Sequence, residues 1–362
     1  MATVKLVLAF FLSLFQILTP VTALVVNLGE GNFFSEWSAT DKFTADYCAE
    51  IEKNPDEDFI ILNLADVQLK DDLVYEEQGV KTEEMIDELV KKTSPDLITL
   101  TGDNAWGTIA YIKLIHQIDS YGIPWAPIMG NHDGQCLINE FWAAYLLFKA
   151  KNCLFEFGPE NMGYGNYIIN ITENGKIIHT LYMLDTHNGA DYLLDDGSTI
   201  GGYDHLWNNQ IEWYKWAVNG ISEISGKNVE SSVFIHIPVC EYKDAWVKAY
   251  GSNETGTLAP ELAPDAIGVR GEDVCCPPVN NGFFDVCKEL GSTKNIFAGH
   301  DHVNNFQIYY EGIRLNYTLK TGYGAYYTDG LTGGTVISVD SDAALWFIII
   351  SEVMRMHIKE FA

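Results

Sequence analysis

The sequence predicts a single α/β domain, on three observations. Strand-length apolar runs alternate with segments of helical spacing from residue 59 to residue 129. Those runs, and two later ones, end in polar residues able to bind metals or carry protons. No repeat, low-complexity tract or linker divides the 362 residues, a length that one large domain accommodates.

The first apolar run, 59–65 (FIILNLA), ends in Asp66-Val67-Gln68. Residues 82–92 form a helix whose apolar face is Met85, Ile86, Leu89 and Val90, with Glu83 and Glu84 in its first turn, where negative charge is favoured. A second strand, 97–101, ends in Gly102-Asp103-Asn104; a helix over 108–120 follows, then an apolar run over 124–129 that ends in Gly130-Asn131-His132-Asp133. Beyond it come a helix at 141–148, a hairpin of 167–172 with 176–184 around Glu173-Asn174-Gly175, and a Gly/Asp-rich surface loop at 191–204. A helix at 211–218 buries Trp213, Tyr214 and Trp216 as core aromatics. Residues 232–235 form a strand that ends at His236. A long loop spans 250–281, a helix covers 283–290, and a strand at 295–298 ends in Gly299-His300-Asp301-His302. Antiparallel strands at 306–310, 313–319, 334–339 and 344–350 close the chain.

Composition narrows the chemistry. At 47% hydrophobic and 20% charged the chain is globular, and a net charge of -28 disfavours both nucleic-acid polymers and anionic membranes. Only three arginines occur (Arg270, Arg314, Arg355), so a phosphate site here must draw most of its positive charge from metal ions.

Residues 1–23 have the plan of a signal peptide: Lys5, an apolar stretch over 6–18, a break at Pro20, and small residues at Val21-Thr22-Ala23. The domain then occupies 24–362, with no stable membrane anchor, in a secreted protein or one held in the lumen of the secretory or lysosomal-vacuolar route. Three N-x-S/T sequons, at Asn170, Asn253 and Asn316, agree with export as glycosylation sites. Seven cysteines (48, 136, 153, 240, 275, 276 and 287) would then meet an oxidising compartment, where some form disulfides and at least one stays unpaired.

In open α/β sheets ligands gather at the carboxyl ends of strands. Oxygen and imidazole donors together suit Zn, Mn or Fe, and a carboxylate shared by two ions is the arrangement of two-metal hydrolases. The ordered set Asp66-x-Gln68, Gly102-Asp103, Gly130-Asn131-His132-Asp133, His236 and Gly299-His300-x-His302 resembles the calcineurin-like metallophosphoesterases over residues 59–306. Thr321-Gly322-Tyr323-Gly324 is similar to the branch related to purple acid phosphatases, but Trp106 stands where that branch has a tyrosine ligand, so the iron–phenolate colour should be absent.

The resemblance implies a β-sandwich flanked by helices, four layers in the order αββα. It implies two divalent or mixed-valence ions, one held by Asp66, Asp103, His302 and Gln68, the other by Asp103, Asn131, His236 and His300. Asp103 would bridge them, a metal-bound hydroxide would attack phosphorus, and His132 would be the general acid with Asp133 orienting it. Gln68 departs from the family's histidine, and a neutral amide oxygen is a weaker ligand. That leaves open a loosely held first ion, a preference for Mn or Mg over Zn, or loss of that ion. The expected activity is hydrolysis of small phosphomonoesters or nucleotides. Its alternatives are a phosphodiesterase with the same core and a sandwich that has lost turnover and acts as a binding protein.

Overall fold

A computed structural model describes residues 33–71, 76–135, 139–194, 196–259, 265–341, 345–351 and 357–358. The expected signal peptide and Cys136 lie outside these residues. The principal strands are β1 (Cys48–Glu52), β2 (Phe59–Leu64), β3 (Leu97–Thr101), β4 (Trp125–Ile128), β5 (Tyr167–Glu173), β6 (Lys176–Met183), β7 (Gly189–Leu193), β8 (Thr199–Tyr203), β9 (Ser231–Ile235), β10 (Thr293–Ala298), β11 (Gln307–Tyr310), β12 (Ile313–Tyr317), β13 (Gly333–Val339) and β14 (Leu345–Ser351). The helices are α1 (Glu76–Thr93), α2 (Thr108–Ser120), α3 (Glu140–Lys149), α4 (Asn208–Ser225), α5 (Glu241–Tyr250) and α6 (Phe283–Leu290).

Two sheets carry the fold. A six-stranded sheet runs from the short strand His357–Ile358 through β14, β13, β2 and β3 to β4, with β2, β3 and β4 parallel. An eight-stranded sheet runs β1-β5-β6-β9-β10-β12-β11 and ends on Ala266–Ile267; β6, β9, β10 and β12 are mutually parallel.

Side-chain alternation explains how the sheets stack. Phe234 and Phe297, on neighbouring strands, face the six-stranded sheet with ring centroids 4.9 Å apart, whereas Val233, Ile235, Ile296 and Ala298 face the opposite way, towards α4, α5 and α6. Burying such a ring contributes roughly 1.5–3 kcal/mol. Helices α1, α2 and α3 cover the outer face of the six-stranded sheet through Ile86, Leu89, Tyr111, Leu114 and Phe141. The result is the expected four-layer order of helices, sheet, sheet and helices.

Several elements differ from the sequence expectation. Helix α1 begins at Glu76, ahead of residue 82, because its first turns are charged and bury nothing. The expected surface loop at 191–204 is a hairpin: β7 and β8 pair antiparallel in register, with Thr199 opposite Leu193. Helix α5, in a stretch to which the sequence assigned no element, buries Tyr242, Ala245 and Trp246. No helix of the described residues is long and apolar enough to cross a membrane.

Burial also corrects two of the three sequons. Asn170 lies inside β5, accepting a 2.9 Å hydrogen bond from Thr180, and Asn316 lies inside β12, donating to the Ile296 and Arg314 carbonyls; both are fully buried. A glycan on either would have to displace the sheet, so of the three only Asn253, which is exposed, fits a folded glycoprotein. The six described cysteines are free thiols; that of Cys240 donates to the Pro277 carbonyl at 3.4 Å and has Cys276 as a neighbour.

Candidate metal centre

The parallel strands deliver their polar residues to one edge of the sandwich, and the backbone there is unusual. Asp66, Gln68, Asp103 and His300 all have positive φ (48°, 44°, 51° and 78°), a region non-glycine residues seldom occupy and which clusters at functional sites. Gly130 is held close to the β3 end: a Cβ there would lie 2.2 Å from the Asp103 nitrogen and 2.4 Å from its Oδ1. The backbone nitrogen cannot yield, so Gly130→Ala should lower stability by about 1–3 kcal/mol and weaken metal retention, read by thermal unfolding with and without chelator.

Asp103 sits at the centre. Its Oδ1 accepts from the His132 backbone nitrogen at 2.8 Å and lies 3.3 Å from His236 Nε2. The His236 ring donates Nδ1–H to the Thr101 carbonyl at 2.7 Å, which turns Nε2 towards Asn131 Oδ1 at 3.0 Å and His300 Nδ1 at 3.3 Å. Four atoms able to bind a metal thus converge: Asp103 Oδ1, Asn131 Oδ1, His236 Nε2 and His300 Nδ1. Metal–ligand bonds of about 2.0–2.2 Å place neighbouring donors about 3 Å apart, and Asp103, Asn131, His236 and His300 fit a divalent ion on that count. Asp66, Asp103 and His236 also place ligand atoms within 4.8 Å of one another.

The second half of the expected set is thinner. His302 donates Nδ1–H to the Tyr326 carbonyl at 3.0 Å and turns Nε2 towards Asp66 Oδ1 at 3.5 Å, an oxygen that is buried without a hydrogen-bond partner. Gln68 instead donates its amide nitrogen to Asp103 Oδ2 at 2.8 Å, and its oxygen accepts from Lys320 Nζ at 3.1 Å.

Burial opposes ionisation of Asp66, but the nearby positive charge of His302, with that of His236 and Lys320, holds its carboxyl well below the usual range. Burial, with His236 adding to it, pushes His300 well below the ordinary histidine value, as a neutral ligand requires. Lys320 is pushed down to about 8 by burial, against the pull of Asp66 and Asp103.

His132 is the partly exposed member. Its ring stacks on Trp106 (centroids 4.4 Å), Nδ1 meets Gln135 Oε1 at 2.9 Å, and Nε2 lies 3.9 Å from Asp103 Oδ2. Lys70 in turn sits over the Trp106 ring at 4.5 Å. Asp133, expected to orient His132, faces away beneath the loop. It accepts from the nitrogens of Gly130 at 2.7 Å, Asn104 at 2.9 Å and Ala105 at 3.3 Å, and from the Asn104 amide at 3.0 Å, stapling the β4 turn to the β3 turn. Burial, reinforced by Asp103, raises its carboxyl to about 7. Gln135 and Trp106 orient the imidazole instead.

Three contributors escaped the sequence reading. Tyr203, at the end of the β8 hairpin, packs edge-on against His300 (4.3 Å), and Tyr326 stacks on His302 (4.2 Å) while its hydroxyl donates to Glu272 at 2.8 Å. Lys320 is the third. Asp301, between His300 and His302, is structural: it accepts from Tyr317 and from the Cys275 nitrogen.

A family model described as calcineurin-like phosphoesterase matches residues 59–304. The chain is 30% identical over 276 residues, covering 68% of its length, to a protein of Arabidopsis thaliana named probable inactive purple acid phosphatase 14. It is 27% identical over 241 residues, 62% of its length, to phosphatase DCR2 of Saccharomyces cerevisiae. The matched segments span 63% and 39% of those two relatives. Among solved structures, a dimetal phosphatase from Danio rerio superposes with a TM-score of 0.49 at 11% identity, covering 81% of this chain and 95% of that one.

Proposed function

The chain belongs to the calcineurin-like phosphoesterase family, and from that premise we propose that it hydrolyses small phosphomonoesters or nucleotides, with His132 protonating the leaving oxygen. The observation that supports this most is the convergence of Asp103, Asn131, His236 and His300 beside a histidine whose Nε2 is bound to none of them. A divalent ion in that set supplies Lewis acidity towards the phosphoryl oxygens and a nucleophile at neutral pH.

The chain's own groups do the rest. Trp106 and Gln135 fix the His132 ring, so its proton is presented from a constant direction. The ring is 28% exposed in its side chain, enough to exchange that proton with water between turnovers. Arg270 directs its guanidinium to Asp273, Asn253 and the Glu272 carbonyl, which leaves phosphate charge to the metal and His132. Trp106, Tyr203 and Tyr326 stand around the mouth, a set of ring faces and edges that favours a planar leaving group such as a nucleoside.

The test is hydrolysis of an aryl phosphate, an aryl phosphodiester and a nucleoside monophosphate, with Mn, Zn or Fe added separately. Faster monoester turnover supports the proposal. Preference for the diester moves the protein to the phosphodiesterase alternative. Turnover of none of them by folded, metal-loaded protein overturns the proposal and favours the binding reading, in line with the word inactive in one relative's name.

Export is part of the same proposal. Protein made in a eukaryotic secretory host should carry a single N-glycan, removed by Asn253→Gln and unchanged by the same substitution at Asn170 or Asn316, as read by glycosidase mobility shift. In an oxidising lumen, Cys240 and Cys276 are the thiols placed to join.

A further inference from the structure

The metal position built around Asp66 and His302 lacks what a second ion needs, and the reason lies in Lys320. This residue follows β12 and pairs with Ala65 at the end of β2, so its side chain enters the sandwich beneath the β2 turn, 1% exposed. The ammonium donates to the Asp66 carbonyl at 2.8 Å and to Gln68 Oε1 at 3.1 Å. An ammonium offers only donors and a carboxylate only acceptors. With Lys320 on one side and Asp103 on the other, the Gln68 amide has one permitted orientation: oxygen to the lysine, N–H to the carboxylate. It therefore presents a proton where a ligand lone pair is required, and that proton occupies Asp103 Oδ2, the oxygen left for bridging once Oδ1 faces His236. Two donors remain at the position, Asp66 Oδ1 and His302 Nε2.

We propose that the buried Lys320 ammonium, acting through Gln68, stands in for one of the family's two metal ions, so that the chain holds a single divalent ion tightly. That ion belongs to the Asp103, Asn131, His236 and His300 set. The Asp66–His302 pair is left as a weak site, on the order of 10²-fold lower in affinity, the upper end of what altered support of a metal ligand costs. The fixed charge serves the buried carboxylates of Asp66 and Asp103 in place of the ion. Lys320 touches no reacting group and is a positioning residue. The inference rests on the metallophosphoesterase reading only in requiring a metal.

The experiment is a Mn(II) titration of the chelator-stripped full chain by equilibrium dialysis and electron paramagnetic resonance. The expected result is one tight ion per chain, with the spectrum of an isolated ion. Lys320→Met frees the amide to turn its oxygen towards the metal, raising second-ion affinity about tenfold or more, and Lys320→Met with Gln68→His gives two ions with a spin-coupled spectrum. Two ions of similar affinity in the wild type overturn the proposal, as does a folded double variant that still holds one. The wild-type stoichiometry decides the matter if neither variant folds. A chain that binds no ion sinks this proposal and the hydrolytic one together, whereas one tight ion without hydrolysis leaves this proposal standing and removes only the other.

Discussion

His236→Ala should release the metal and lower kcat/KM by about 10³-fold or more, since a Lewis acid supplies several kcal/mol of transition-state stabilisation at 1.36 kcal/mol per factor of ten. The substitution removes the Nε2 that meets Asn131 and Asp103, and it leaves the Thr101 carbonyl without its ring donor. Metal analysis after gel filtration reads the first effect and aryl phosphate hydrolysis the second. His179 is the control. It is equally buried, its Nε2 meets Ser232 at 2.9 Å within the sheet, and burial pushes it down to about 3. His179→Ala should destabilise the fold while leaving metal content unchanged. If the two substitutions affect metal content alike, the loss comes from unfolding and the ligand assignment of His236 fails.

His132→Ala should keep the metal and lose rate in proportion to how badly the leaving group needs a proton. With an alkyl phosphate the loss should be ~10²–10⁴-fold, the range a positioned general acid contributes. With an aryl ester whose phenolate leaves readily, most of that difference should vanish. KM should change little, because Asp103, Asn131, His236 and His300 remain. A loss of the same size for every leaving group would assign His132 to charge stabilisation and remove it from the acid role. Gln135→Ala and Trp106→Ala probe the same step from outside, since they free the ring that Gln135 and Trp106 hold.

The parts of this fold legible in the sequence are those whose chemistry is local. Strands β2, β3, β9 and β10 run inside their sheets and β4 at an edge, all five almost wholly buried, so each carries an apolar stretch without polar alternation. Strand β1 (CAEIE) is half exposed, and β7 and β8 have no buried face, so none of the three leaves a hydrophobic pattern to detect. The site divides along the same line. Asp66, Asp103, Asn131, His236, His300 and His302 stand out in the sequence because each ends an apolar run and together they keep a family's order. The direction of a side chain is another matter. Asp133 turning under its loop, and the orientation of the Gln68 amide, depend on partners elsewhere in the chain: Asn104 for the first and Lys320, 252 residues away in sequence, for the second. Asn170 and Asn316 fit a sequon by spelling alone; only their place inside strands shows that they face inward.

The β7–β8 hairpin separates two selective pressures that most enzymes carry on the same residues. Its strands bury no residue and belong to neither core cluster, yet its last residue sets an aromatic edge against His300. Insertions, deletions or a wholesale exchange of this arm should therefore be close to neutral for folding, while they change the surface beside His300. The metal cradle is locked by buried glycines and stapled turns and can drift little. Exchange of the arm is therefore expected to alter which ester the site prefers, read by hydrolysis, with little change in thermal unfolding.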